Sequence, residues 1–178
     1  MNPSFERAEP RLALCGLICV LCPMYVDHYC PGCGGGLGNQ VCNRARCSQK
    51  KTQVSYCFEC EDYPCDYYQG FNQSDSFISH HNQHQILMRI ESEGIETIIE
   101  EVLSKRRILD ELLMNFNDGR HKRFYCLTVN LLSLEDLNEV MKSLSDRPMD
   151  DVKIKAKSAK EMFLKKAEER GIRLILRK

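Results

Sequence analysis

The chain has no excess of either charge: Lys and Arg number 25, and Asp and Glu also number 25. That balance excludes a global electrostatic pull toward nucleic acid or anionic lipid. It also lacks an apolar run able to cross a bilayer, which takes about 20 residues. The best candidate, residues 12–21, contains Cys15 and Cys19 and ends at Cys22-Pro23. No secretory signal is legible. The start carries Glu6 and Glu9 where a basic segment belongs, and no small-residue cleavage site follows the apolar run. The expectation is no membrane and a reducing, cytoplasmic compartment. Catalytic fingerprints are missing as well. Gly34-Gly35-Gly36-Leu37-Gly38 lacks the Lys-Ser/Thr of a phosphate loop, and no Glu stands between His80 and His84 in zinc-protease order. There is no internal repeat and no low-complexity segment.

What the chain has in abundance is cysteine, 11 residues, all but Cys126 lying between Cys15 and Cys65. Such density means a disulfide framework or metal ligation, and in a reducing compartment thiolates coordinate metals. Cys19/Cys22, Cys30/Cys33 and Cys57/Cys60 are Cys-x-x-Cys pairs. Cys42 and Cys47 form a wider pair, and Cys15 and Cys65 flank the set. Two intervening residues let a tight turn aim both sulfurs at one ion, near the Zn–S length of about 2.3 Å. Pro31, Gly32 and Gly34 relax the backbone around one pair, so that amide N–H groups can face thiolates. All ten are candidate metal ligands. Zinc is the expected metal, as two ions in closed tetrahedral sites with a structural role.

Grouping is open from spacing alone. A zinc-ribbon-like site joins Cys30, Cys33, Cys57 and Cys60, and a cross-brace adds Cys19, Cys22, Cys42 and Cys47 around a second ion. The cross-brace is favoured; it leaves Cys15 and Cys65 over, and His28 could enter a site. The rival is an iron–sulfur cluster on Cys15, Cys19, Cys22 and a remote Cys65 after Pro64. The run Cys15-Gly16-Leu17 through Cys19, Cys22-Pro23, Cys30, Gly32-Cys33, Cys42, Cys47, Cys57, Cys60 and Tyr63-Pro64-Cys65 resembles an uncharacterised prokaryotic family. That family shares a cysteine-rich domain of unknown function with a Cys-Gly-Leu opening and a Tyr-Pro-Cys close. Gly119-Arg120, Phe124-Tyr125-Cys126 and Asn130-Leu131-Leu132 are similar to its longer members. The resemblance implies metal binding, as zinc, in an intracellular protein, and implies no reaction.

The fold expected is mainly α with a small irregular cysteine-rich zinc-binding domain, over residues 12–70, and an α-helical domain over 74–178. The first stretch is dense in turn residues such as Pro31-Gly32 and Gly38-Asn39, and buries too little apolar surface to offset its chain entropy without staples. In the second, Ser74 or Asp75 can cap a helix that includes Phe77, Ile86, Leu87 and Ile90. Gly94 interrupts, and Ile98, Val102, Leu109 and Leu112 line one face of the next helix. Residues 120–131 fit helix or strand, with helix preferred. Ser133 with Asp136 forms a capping box, Asp146 and Pro148 open a last helix, and residues 172–176 read as a short strand.

Other residues carry weaker signals. His80, His81 and His84 read as a solvated helix start, and Cys126 as a packed core thiol. Lys153, Lys157, Lys160, Lys165 and Lys166 make the last helix basic, a solvated face with nucleic acid as the alternative. Asp27, His28, Glu59, Glu61 and Asp62 are general-base candidates by sequence proximity only. The resulting expectation is a binding module for a protein or nucleic-acid partner rather than an enzyme. Iron–sulfur redox chemistry is the alternative.

Overall fold

Apolar residues at three- and four-residue steps produce the central element of the fold. Ile98, Val102, Leu109 and Leu112 fall on one side of helix α4 (Ile95–Asn115) and are buried. The computed structural model describes residues 5–38, 42–52, 54–71, 73–146 and 151–178. Within them the helices are α1 (Pro23–Val26), α2 (Asn43–Cys47), α3 (Gln83–Glu93), α4, α5 (Lys122–Leu131), α6 (Leu134–Ser145) and α7 (Val152–Glu169). Helix α4 packs against α3, α5 and α6, and α7 packs on α6. Among the described residues there is no strand, only an isolated bridge between Glu6 and Gly35. No helix there is long and apolar enough to cross a membrane.

Local chemistry explains most boundaries. Gly94, at φ 86°, ends α3 and lets α4 begin at once in a new direction. Ser133 Oγ accepts the Asp136 N–H at 3.1 Å and donates to the Asp136 carboxylate at 2.8 Å, opening α6 as the capping pattern requires. Within residues 120–131, Lys122–Leu131 resolves as helix α5. Tyr125 and Val129 reach the core while the Tyr125 hydroxyl donates to Phe116 O at 2.7 Å. Along α7, Ala156, Ala159, Phe163 and Ala167 are buried, and Arg170 holds Asp136 of α6 at 2.7 Å.

Three expectations are corrected. The helix expected from Ser74 or Asp75 starts only at Gln83, and Phe77 is exposed. Asp75 is instead a clamp. Its fully buried carboxylate accepts from His80 N at 2.8 Å, and from Arg177 N at 2.8 Å and Nη2 at 2.7 Å. Residues 172–176 form no strand, having no sheet edge among the described residues to pair with. The cap of α7 is Asp151, which accepts from Lys153 N at 2.7 Å; Asp146 closes α6 instead, and Pro148 lies outside the described residues.

The cysteine-rich segment is fastened to this bundle. Leu12, Ile18, Val20 and Leu21 join Leu109, Leu112 and Val129 in one continuous hydrophobic cluster. Full burial of a side chain such as Leu21 contributes about 1.5–3 kcal/mol. Arg106 of α4 donates to Val20 O at 2.9 Å, and Lys122 of α5 pairs with Asp27 at 2.6 Å. The turn at Cys19–Leu21 therefore rests on α4 and α5, and this contact positions the first thiols.

Candidate metal centre

The ten clustered cysteines fall around two cavities. Cys47, Cys57, Cys60 and Cys65 line a small one of about 30 Å3, together with Arg44, Tyr63 and Tyr68. Cys15, Cys19, Cys22, Cys30, Cys33 and Cys42 line a larger one of about 470 Å3. Neither the ribbon grouping nor the cross-brace has this arrangement, because Cys57 and Cys60 do not share a cavity with Cys30 and Cys33. Helix α2 is the physical reason that Cys42 and Cys47 part company. Five residues at 3.6 per turn rotate a side chain about 140°, so the N-cap Cys42 and the last residue Cys47 face different cavities. All eleven thiols are free.

Backbone amides are aimed at the sulfurs of the larger cavity. Cys22, immediately before α1, accepts N–H bonds from Met24 and Tyr25. Cys15 accepts from Leu17 N–H and Cys33 from Leu14 N–H, while the N–H of Cys33, near Cys19, donates to Pro10 O at 3.0 Å. Each bond to sulfur favours a thiolate. Burial opposes it more strongly and pushes the Cys15 thiol up to about 12. Burial, followed by the charges of Cys33, Cys15 and Cys30, drives Cys19 well above its ordinary value. In the small cavity burial raises Cys57 to about 11, while Tyr68 and Arg44 pull it back. Without a countercharge these thiols hold their protons.

Donors without partners stand beside the same sulfurs. The buried Nε of Arg44 has no hydrogen-bond partner, and the buried hydroxyl of Tyr68 has the Cys57 sulfur alone; both residues line the small cavity. Arg44 also lines the larger cavity, its guanidinium 3.4 Å over the Phe71 ring, with Nη2 donating to Tyr67 O. Arg7 Nε is likewise orphaned, while its Nη1 donates to Leu12 O at 2.7 Å and Cys33 O at 3.2 Å. Buried donors are normally paired. Orphaned donors next to thiols mark places where negative sulfur would be accommodated, so the donor set suits a thiophilic cation. Among the described residues, however, no three Cys, His, Asp or Glu side chains converge closely enough to ligate one ion.

The remaining sequence candidates lie elsewhere. His80 lines the larger cavity, but its nitrogens are committed to Phe71 O at 3.1 Å and Ser76 Oγ at 3.0 Å. It is buried, which corrects the solvated-helix-start reading for that residue, while His81 and His84 are exposed and His84 bonds the Tyr63 hydroxyl at 2.6 Å. Cys126 is buried in the core on α5, where burial raises it to about 12, and His121 beside it in sequence bonds Asp118 at 2.8 Å. Neither cavity is lined by Asp27, His28, Glu59, Glu61 or Asp62. Sequence reasoning did not single out Arg7, Arg44 and Tyr68. Only the position of Arg44 between Cys42 and Cys47 offered a signal. Compared with protein-family models, curated proteins and solved structures, the chain matches none, and what it does must be read from its own thiols.

Proposed function

We propose that this is a zinc protein in which the metal is structural and the helical half offers a surface to a protein or nucleic-acid partner. The observation that carries the reading is the division of ten thiols between two cavities, with Arg44, whose buried Nε has no hydrogen-bond partner, on the lining of both. Cys47, Cys57, Cys60 and Cys65 would hold one ion, and the other six thiols would serve the second cavity. Zinc supplies four thiolate bonds and no redox change, and the free energy of a closed site is folding free energy, about 10 kcal/mol or more. The residues of the chain do the rest. Backbone N–H groups orient Cys15, Cys22 and Cys33. Arg7 and Arg44 offset thiolate charge. The Cys19–Leu21 turn transmits the constraint to α4 and α5. Because no three sulfurs yet converge at ligand distance, loading requires the sulfurs to close around the ion. The cysteine pattern's likeness to the uncharacterised prokaryotic family agrees with this reading.

Elemental analysis of anaerobically purified protein, beside its visible spectrum, tests it. Zinc in both cavities and a colourless protein are expected. Iron with sulfide and a broad absorbance near roughly 400 nm would overturn the reading in favour of redox chemistry.

A further inference from the structure

We infer that one flank of α7 is a docking surface for nucleic acid, where Lys153, Lys157 and Lys160 meet successive phosphates. The inference deepens the reading above: it places the partner surface of the helical half and chooses nucleic acid over protein. The neutral total hides a local excess. Residues 151–178 hold ten of the 25 Lys and Arg but only four of the 25 Asp and Glu.

Helical geometry gathers part of that excess on one side. At about 100° per residue, Lys153, Lys157 and Lys160 fall within about 60° of one another, beside the face that buries Ala156, Ala159 and Phe163. All three are exposed. Together they rise about 10 Å along the axis, the length of about three phosphates of a strand at about 3.4 Å each. Among the described residues Lys153 and Lys160 have no ion pair, and Lys157 reaches only Glu161, at 4.0 Å. Farther along, Lys166 is held by Glu139 at 2.9 Å and Arg170 by Asp136 at 2.7 Å.

The arrangement works against the helix itself. Asp151 caps α7, yet no acid stands in its first turn, and Lys153 and Lys155 lie there at the positive end of the helix dipole. Lys153 and Lys157 are like charges four residues apart. Local rules are broken in this way where function demands it, and a polyanion along the flank relieves both penalties. An aromatic ring lies alongside: Lys160 Nζ is 5.9 Å from the centroid of half-buried Phe124 on α5, and exposed Arg123 precedes that ring. Such a ring can stack a base. An anionic membrane fits less well. The apolar face of α7 is committed to the core, and its exposed Val152, Ile154 and Leu164 spread over about 200° of the helix, leaving no apolar stripe to enter lipid.

Fluorescence anisotropy of the full chain, purified without oxygen, with labelled single-stranded RNA and duplex DNA tests the inference, with zinc content measured on the same samples. Salt-sensitive binding is expected. K153Q/K160Q should weaken it by roughly tenfold or more and lower the slope of log affinity against log salt by about two. R107Q/K142Q, which removes the same charge from exposed sites on α4 and α6, should change neither value. No binding by the wild-type chain, or equal losses in the two variants, would overturn the inference. So would binding to polyglutamate or to phosphatidylserine vesicles with nucleic acid ignored. Zinc retained in a chain that ignores nucleic acid would leave the zinc reading intact, whereas lysine-dependent binding by a chain without zinc would support the inference and overturn that reading alone.

Discussion

Filling the six-thiol cavity should depend steeply on pH. Cys15, Cys19, Cys22 and Cys33 are all raised above the ordinary thiol value, chiefly by burial. Each is therefore protonated at neutrality in the metal-free protein and must give up its proton to become a ligand. For Cys15, at about 12, ionisation at pH 7 costs about 7 kcal/mol before any metal bond forms. On the proposed reading, zinc must offset that cost. Every thiol protonated in the free form and ionised in the bound form adds one decade per pH unit to the binding constant. These four thiols alone give at least about four decades per unit, rising with pH, for the complete filling of the cavity. The perturbation is pH alone, from about 6.5 to 7.5, a range below the raised thiol values. The assay is competition for zinc against a chromophoric chelator of known protonation behaviour. A slope of one decade per unit or less would refute the assignment of these buried thiols as ligands.

Three further outcomes test the fold that carries the site. Asp75→Ala, which strands the Arg177 guanidinium and two backbone donors, should cost about 3–5 kcal/mol by urea unfolding; a loss under about 1 kcal/mol would show the clamp to be idle. Burial works against the Asp75 carboxylate, but Arg177 and the His80 N–H hold it well below the usual carboxylate range. The clamp should therefore be intact above about pH 4 and be lost only as pH falls through that lowered value. Leu21→Ala should cost about 2–5 kcal/mol and lower the unfolding midpoint of the helices too, because one core spans both regions; two separate transitions would contradict that. Ser133→Ala should remove about 1 kcal/mol by loss of the α6 cap, without altering zinc content.

Much of the helical half was legible because its signals are local. The three- and four-residue apolar steps of α4, the Ser133 capping box and the buried stripe of α7 each need only a few neighbouring residues to be read. What escaped depends on distant partners. Asp75 has the look of a helix cap, yet its donors include a backbone and a guanidinium supplied by Arg177, far along the chain. The density of cysteine announced a thiol site, but the division into sets of four and six follows from where α2 turns Cys42 and Cys47, a rotation that spacing in sequence leaves ambiguous between pairings. That Nε of Arg7 and of Arg44 is orphaned escaped for the same reason, since being unpaired is a property of the folded surroundings.

The short helix α2 carries one thiol of each cavity, Cys42 at its start and Cys47 at its end. Anchoring either end immobilises a rod of five residues and so removes part of the ordering cost at the other end. Thermodynamic reciprocity then requires each cavity to raise the other's affinity by the same factor. On the zinc reading proposed above, the ions should accordingly leave together: a chelator titration should show one sharp transition, with few half-emptied chains along the way.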